Sequence, residues 1–121
     1  MALASALAEN NALAGVFAAV QPTPSTTNTW CSLHTATTGT TGASEYAGVT
    51  RLQFSVGSPA AGAISNTATA TFTTSGATSV THLGTWDAVT VGNFRLGAPL
   101  GTPVSAVTIT FAIAAISFTA V

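Results

Sequence analysis

Residues 21–35 read QPTPSTTNTWCSLHT, and the hydrophobic pattern of the chain changes within this stretch. Pro22 and Pro24 disfavour helix at the residues before them, which predicts an extended connector. From Thr29 onward, apolar residues alternate with polar ones and β-branched residues dominate, as is typical of strands. The stretch therefore separates two segments of different structure. We assign residues 21–28 to a Pro/Thr-rich linker and residues 29–121 to a β domain.

Residues 1–20, before this boundary, predict an N-terminal helical arm. Their larger apolar side chains fall within about half of a helical wheel, and alanine, a strong helix former, fills the gaps. An uncharged arm of this kind suits docking into an apolar groove of a partner. The alternative is that the arm covers one end of its own β domain. The candidate partner contacts on the arm are Leu3, Leu7, Leu13 and Phe17.

After the boundary, alternating segments separated by glycine- or serine-rich stretches predict six strands. In the last of them the apolar residues change parity, so a β-bulge or short turn is expected near Ala114–Ala115. Several short strands with turn signals between them are typical of an antiparallel β-sandwich or a jelly-roll-like barrel. The predicted strands span 29–35, 49–56, 67–73, 78–86, 93–98 and 106–120.

Charge is scarce in this chain of 121 residues: two arginines, no lysine and three carboxylates make up 4% of the sequence. Two arginines are too few to neutralise several phosphates or to hold an anionic membrane, so we expect neither a nucleic-acid nor a membrane partner. No apolar run is long enough to span a bilayer, and the N-terminus lacks the positive start of a signal peptide.

A net charge of −1 leaves little repulsion between copies. We therefore expect a homo-oligomer such as a trimer.

The segment WCSLH contains the residues most suggestive of chemistry. In a strand, Cys31 and His34 point to opposite faces, which argues against a local thiolate–imidazole pair. We interpret them as a buried thiol and a histidine hydrogen-bonded to a backbone carbonyl. Pairing of His34 with His82 across a sheet is an alternative. It favours no metal site, because only Glu45 and Asp87 would supply carboxylates.

Two further catalytic patterns are weak. Glu45 and Asp87 invite comparison with a glycosidase pair, but no surrounding aromatic and polar groove is visible. The glycines of TTGTTGASE lack the lysine and the following helix of a phosphate loop. Gly39 and Gly42 are instead predicted to adopt positive φ in a long turn. We predict no catalytic residue, no cofactor and no metal.

The aromatic residues allow two interpretations. Trp30, Tyr46, Trp86 and Phe94 would form a sugar-binding platform if they were exposed, but large aromatics more often anchor a core. We favour the core interpretation. For a receptor- or glycan-binding role, Tyr46 and Trp86 are the candidate surface-loop contacts.

Five motifs occur in the order SLHTA, GTTGASE, AISNTATATF, VTHLGTWDA and GNFRLGAPL. In this order, over about residues 32–121, the chain resembles a family of small Ala/Gly/Thr-rich virion proteins of actinobacterial tailed phages. Members are described as head decoration, minor tail or tail-fibre-like proteins. The chain departs from that family at Thr37–Thr38, where Asp-Pro is frequent. The resemblance implies a structural virion protein without catalytic residues.

The leading expectation is a capsid decoration (cement) protein on the capsid surface, bound to the major capsid protein and to sister copies. The chain lacks the repeats or heptads of a fibre shaft, which favours this role. The alternative is a minor tail or tail-fibre-like protein with a receptor- or glycan-binding role. A small hydrolase is the third and weakest hypothesis.

Overall fold

A computed structural model describes residues 29–61, 63–113 and 115–119, which contain eight strands and no helix. All strand pairs are antiparallel, so the prediction of a mainly β, antiparallel fold is confirmed. The predicted arm, with its four candidate contacts, and the linker lie outside the described residues. The strands are β1 (Trp30–His34), β2 (Leu52–Gln53), β3 (Ala63–Ser65), β4 (Ala70–Thr73), β5 (Val80–Trp86), β6 (Phe94–Val104), β7 (Thr108–Phe111) and β8 (Ser117–Thr119).

The strands form three sheets. The largest has the order β2-β1-β5-β6, and two-stranded sheets pair β3 with β8 and β4 with β7. In the central pair, Trp30 lies opposite Trp86 and His34 lies opposite His82. The finer prediction of a β-sandwich or jelly-roll-like barrel is not confirmed, because the described strands are divided among three sheets.

The core collects apolar side chains from the four-stranded sheet, from β4 and β7, and from the connecting segments. Strand alternation places Phe72 and Ile109 on the inner side of their sheet, where they are directly paired. The ring of Phe72 meets that of Phe111 edge-on at a centroid distance of 6.3 Å. Burial of such side chains is the main stabilising contribution to a domain of this size. The core cluster is Cys31, Leu33, Phe54, Ala70, Phe72, Val80, Leu83, Ile109 and Ile116.

Three strand predictions need correction. β3 lies within a stretch expected to be a separator, because its short segment becomes a strand only by pairing with β8. β6 continues through Pro99 and Pro103, which is tolerated because β6 is the edge of its sheet. The segment predicted as strand 49–56 contains only the two-residue strand β2.

The predicted change of face near Ala114–Ala115 is confirmed as a turn. The Ala115 N–H donates to the Ala112 carbonyl at 3.0 Å, which separates β7 from β8. The side chain of buried Asn66 bonds to backbone groups on both sides of this turn. Its Nδ2 donates to the Ala112 and Ala68 carbonyls, each at 2.9 Å, and its Oδ1 accepts the Ile116 N–H at 2.9 Å. The motif AISN contained this residue, but nothing local in the sequence indicates its distant partners.

Candidate contact site

A chain of buried hydrogen bonds crosses one face of the four-stranded sheet. The Trp86 indole N–H donates to Ser32 Oγ at 2.8 Å, and Ser32 Oγ lies 2.6 Å from His34 Nε2. His34 Nδ1 lies 2.7 Å from the Ala43 carbonyl. Because a carbonyl only accepts, Nδ1 carries the proton and Nε2 accepts from the Ser32 hydroxyl. The interpretation of His34 as a histidine bonded to a backbone carbonyl is therefore confirmed.

Gly42, in the loop after β1, and Gly84, in β5, make room for the side chains on this face. A Cβ on Gly42 would collide with the Trp86 ring, and one on Gly84 would collide with His34 Nε2. Gly42 and Gly39 both have positive φ, as predicted for this turn. The face is consequently closed, and burial lowers the pKa of His34 below its ordinary value.

Cys31 points to the opposite face, into the core, as predicted. Burial raises the pKa of its thiol to about 12, so the thiol stays protonated at neutral pH. His82 lies opposite His34 in the register, and its Nδ1 lies 2.8 Å from Thr81 Oγ1. Within residues 29–119 as described, no group of three or more His, Cys, Asp or Glu side chains is placed to hold a metal ion.

Arg51 forms a buried clamp that the sequence analysis missed. Its guanidinium makes two bonds to the Glu45 carboxylate, at 2.7 and 2.8 Å. Nη1 donates to the carbonyls of Ala88 and Val91 at 2.9 and 2.8 Å. The guanidinium also stacks on Trp86, 3.6 Å from the ring centroid. The planar, multiply donating head of arginine suits this combination of carboxylate, carbonyls and ring.

The loop of residues 87–93, which Arg51 contacts, is closed at its base. Asp87 Oδ1 accepts the Asn93 backbone N–H and Oδ2 accepts the Asn93 side-chain amide, both at 2.7 Å. The backbone bond and then the side-chain bond lower the pKa of Asp87. Glu45 and Asp87 are thus each engaged in structural bonds. This arrangement does not support the glycosidase comparison.

The tip of this loop is apolar and exposed. Val91 is 85% exposed and Val89 is 39% exposed. Val91 also has a φ of 56°, which is rare for a β-branched residue and costs on the order of 1–3 kcal/mol. The bond from Arg51 to the Val91 carbonyl helps to hold this conformation.

A groove of about 400 Å³ lies beside the tip. The Glu45 and Arg51 charges that line it neutralise each other, so the groove has no net charge. We call the groove and the Val89–Val91 tip together the contact site. The groove is lined by Glu45, Gly48, Val49, Thr50, Arg51, Val89, Thr90 and Val91.

The two aromatic contact candidates have different positions. Trp86 is buried at the end of β5 and meets Phe94 edge-on at 5.2 Å, so the core interpretation is confirmed for these two rings and the surface-loop position expected of Trp86 is wrong. Trp30 is only half-buried. Tyr46 is half-buried, and its hydroxyl lies 2.8 Å from Ser75 Oγ. This bond lowers the pKa of the Tyr46 phenol. A contact role for Tyr46 stays a prediction.

Residues 3–119 match the family of the podophage GP4 fiber I protein gp80. The chain belongs to this family. It is therefore a mainly β structural component of a phage virion. The match supports the phage virion part of the resemblance, but not its actinobacterial Ala/Gly/Thr-rich detail. No curated protein matches the chain. In the part of the chain that the structure describes, no helix has the length and apolarity to cross a bilayer.

Proposed function

We propose that the protein is a non-enzymatic component of a tail fibre, which is the alternative considered from the sequence. The observation that carries this proposal is the match to a podophage fibre family over nearly the whole chain. The family favours a fibre over capsid decoration, the leading expectation from the sequence. We propose tail proteins and further copies of the chain as its partners within the particle.

The side chains that suggest chemistry support a non-enzymatic role. Ser32 and His34 lie at the spacing of a nucleophile and its base, but both are buried beneath the loop after β1. Ser32 Oγ also accepts the Trp86 indole N–H, which fixes it within the face. A substrate would have to displace the loop to reach this pair, and Cys31 is buried as a neutral thiol.

We further propose that the contact site binds an uncharged protein surface of the host cell. The exposed and strained Val91 favours this role, because strained residues concentrate where a fold makes contacts. The apolar tip suits a protein surface better than a glycan, since aromatic rings that stack on sugars are not among the residues that line the groove.

Immunogold labelling of intact particles tests the fibre assignment. An antibody against this chain is expected to label fibres at the tail, and quantitative gel staining is expected to give tens of copies or fewer per particle. Uniform label over the capsid, with hundreds of copies, would instead establish capsid decoration and contradict the proposal.

Surface binding is tested separately. Purified protein and a Val91→Asp variant are incubated with host cells before and after protease treatment. We expect the unaltered protein to bind untreated cells, and we expect both the variant and protease treatment to reduce that binding. Binding that survives protease but is lost after glycosidase treatment would show a glycan receptor and contradict our choice of partner.

A further inference from the structure

The edges of the sheets differ in how they are protected from pairing with other chains. In the four-stranded sheet, one edge strand is the two-residue β2 and the other is β6, which contains Pro99 and Pro103. Short strands and prolines are both known protections of an edge. The strands β4 and β7, with sequences ATFT and TITF, contain neither proline nor charge. Their sheet is therefore competent to accept another strand.

This sheet has two edges, and the outer edge of β7 is the better candidate for pairing with another strand. β4 also contacts β2, whereas no second strand of the described residues pairs with β7. Beyond the end of β4, the Thr74 N–H donates to the Val107 carbonyl at 2.7 Å. Because backbone groups alternate along an antiparallel strand, Val107, Ile109 and Phe111 direct theirs towards β4. Thr108 and Thr110 then direct their N–H and C=O groups outward.

Two exposed apolar residues flank this edge. Val107, just before β7, is 58% exposed, and Ile113, just after it, is 64% exposed. Val107 lies in a bend before β7 and Ile113 lies in the turn after it, so strand alternation does not place their side chains. Exposed apolar surface therefore lies at both ends of β7. An additional strand along β7 would cover both ends.

We propose that β7 pairs antiparallel with β7 of a second copy about a two-fold axis at Thr110. In this register Thr110 lies opposite Thr110 of the second copy, and their outward backbone groups exchange two hydrogen bonds. Ile109 lies opposite Phe111 of the other copy, so this pair joins residues of one face. The end of β7 next to Val107 then lies beside the end of the other copy's β7 that precedes Ile113.

The second copy is the occupant that these observations favour. Residues 106–113 carry no charge, so two copies of the strand approach without repulsion. Threonine hydroxyls donate and accept, and Thr71 Oγ1 already lies 3.2 Å from Thr110 Oγ1 within one chain. The same surface serves both copies, which makes the contact isologous and closes at a dimer. This contact differs from the trimer expected from composition.

Disulfide trapping tests the axis directly in the full chain. In Thr110→Cys the new thiols face each other across the axis, and mild oxidation with diamide is expected to give a covalent dimer. Thr71→Cys is the matched control, since it is exposed on the same face but lies one strand farther from the axis. Its copies are three strand spacings apart, about 14 Å, which is beyond disulfide reach. The native Cys31 is buried and is expected to leave the unsubstituted protein uncross-linked.

Three outcomes of trapping would overturn the proposal. The first is equal cross-linking of both cysteine variants. The second is a monomeric Thr110→Cys protein whose new thiol reacts freely with Ellman's reagent, which shows an open edge. The third is a monomer whose thiol is protected, which shows that another part of the same chain covers β7.

Charge substitution tests the register. Val107→Lys and Ile113→Glu are each expected to raise the dimer dissociation constant in analytical ultracentrifugation by about tenfold or more. The double variant is expected to recover most of the affinity, because each lysine then meets a glutamate of the other copy. Gln53→Lys, at an exposed position of β2, is the control and should leave the constant unchanged. Failure of the double variant to recover would contradict the register.

Discussion

Arg51 stacks on Trp86 with its guanidinium carbon 3.6 Å from the ring centroid, and the same indole donates to Ser32 on the buried face of the sheet. Trp86 therefore connects the buried hydrogen bonds of the sheet to the Arg51 clamp. Its N–H belongs to the series of hydrogen bonds that ends at the Ala43 carbonyl. Its ring stacks on the Arg51 guanidinium, which bonds to the loop of residues 87–93. The exposed contact site consequently depends on buried residues.

Replacement of Arg51 tests this dependence. Arg51→Lys removes the bidentate geometry and most of the stacking while it keeps the charge. We expect a loss of about 2–3 kcal/mol in the free energy of unfolding, because Glu45 keeps part of its hydration and the loss is below that for a fully buried pair. The measurement is urea denaturation followed by tryptophan fluorescence. Unchanged stability would contradict the clamp.

The strain at Val91 predicts a stabilising substitution. Asparagine tolerates positive φ better than valine, so Val91→Asn is expected to raise the free energy of unfolding by about 1 kcal/mol. Val89→Asn is the matched control on the same loop. Val89 does not have positive φ, and its substitution is expected to change stability by less than about 0.5 kcal/mol. A destabilised Val91→Asn protein would show that valine is not strained there.

The elements that the sequence predicted correctly are those determined by local pattern. Alternation in WCSLH was sufficient to place Cys31 and His34 on opposite faces, and the parity change after Ile113 was sufficient to locate a turn. β3 was missed because three residues are too few to show a period. β6 was predicted too short because Pro99 indicates a break unless the strand is known to lie at an edge.

The candidate site was less predictable because its contacts join distant parts of the chain. Arg51 contacts residues 37 and 40 positions away, and no sequence period indicates such partners. The scarcity of arginine was the one available signal, since a buried cation in so uncharged a chain needs a specific role. Trp86 was considered as a surface contact because aromatic content alone does not distinguish a core anchor from an exposed platform.

The buried His34 predicts that the free energy of unfolding depends on pH. Burial lowers the pKa of folded His34, whereas the unfolded chain binds a proton near pH 6.5. The unfolded state therefore takes up more protons as the pH falls below about 6.5, and stability decreases there by up to about 1.4 kcal/mol per pH unit. Urea midpoints are measured between pH 7.5 and pH 5, above the range in which Asp87 titrates.

The His34→Gln variant is the control for this pH dependence. It is expected to be less stable at every pH, because the bond to the Ala43 carbonyl is perturbed. Its midpoint should nevertheless vary less between pH 7.5 and pH 5 than that of the unsubstituted protein. An equally steep variant would assign the pH dependence to another group.

Asn66 predicts a large effect of a single polar residue outside the contact site. Asn66→Ala would leave the buried Ile116 N–H without its acceptor, whereas the Ala112 carbonyl would keep the Ala115 N–H. An unsatisfied buried group of this kind costs free energy, so we expect a loss of about 1–3 kcal/mol in the free energy of unfolding. Gln53→Ala, at an exposed position of β2, is the control and is expected to cost less than about 0.5 kcal/mol.

Hydrogen exchange gives a second measurement of the Asn66→Ala variant. The Ile116 amide should lose protection from exchange. The Phe54 amide, which bonds to the Thr29 carbonyl at 2.7 Å, should keep most of its protection. Equal loss of protection at both amides would show global unfolding and contradict a local role for Asn66.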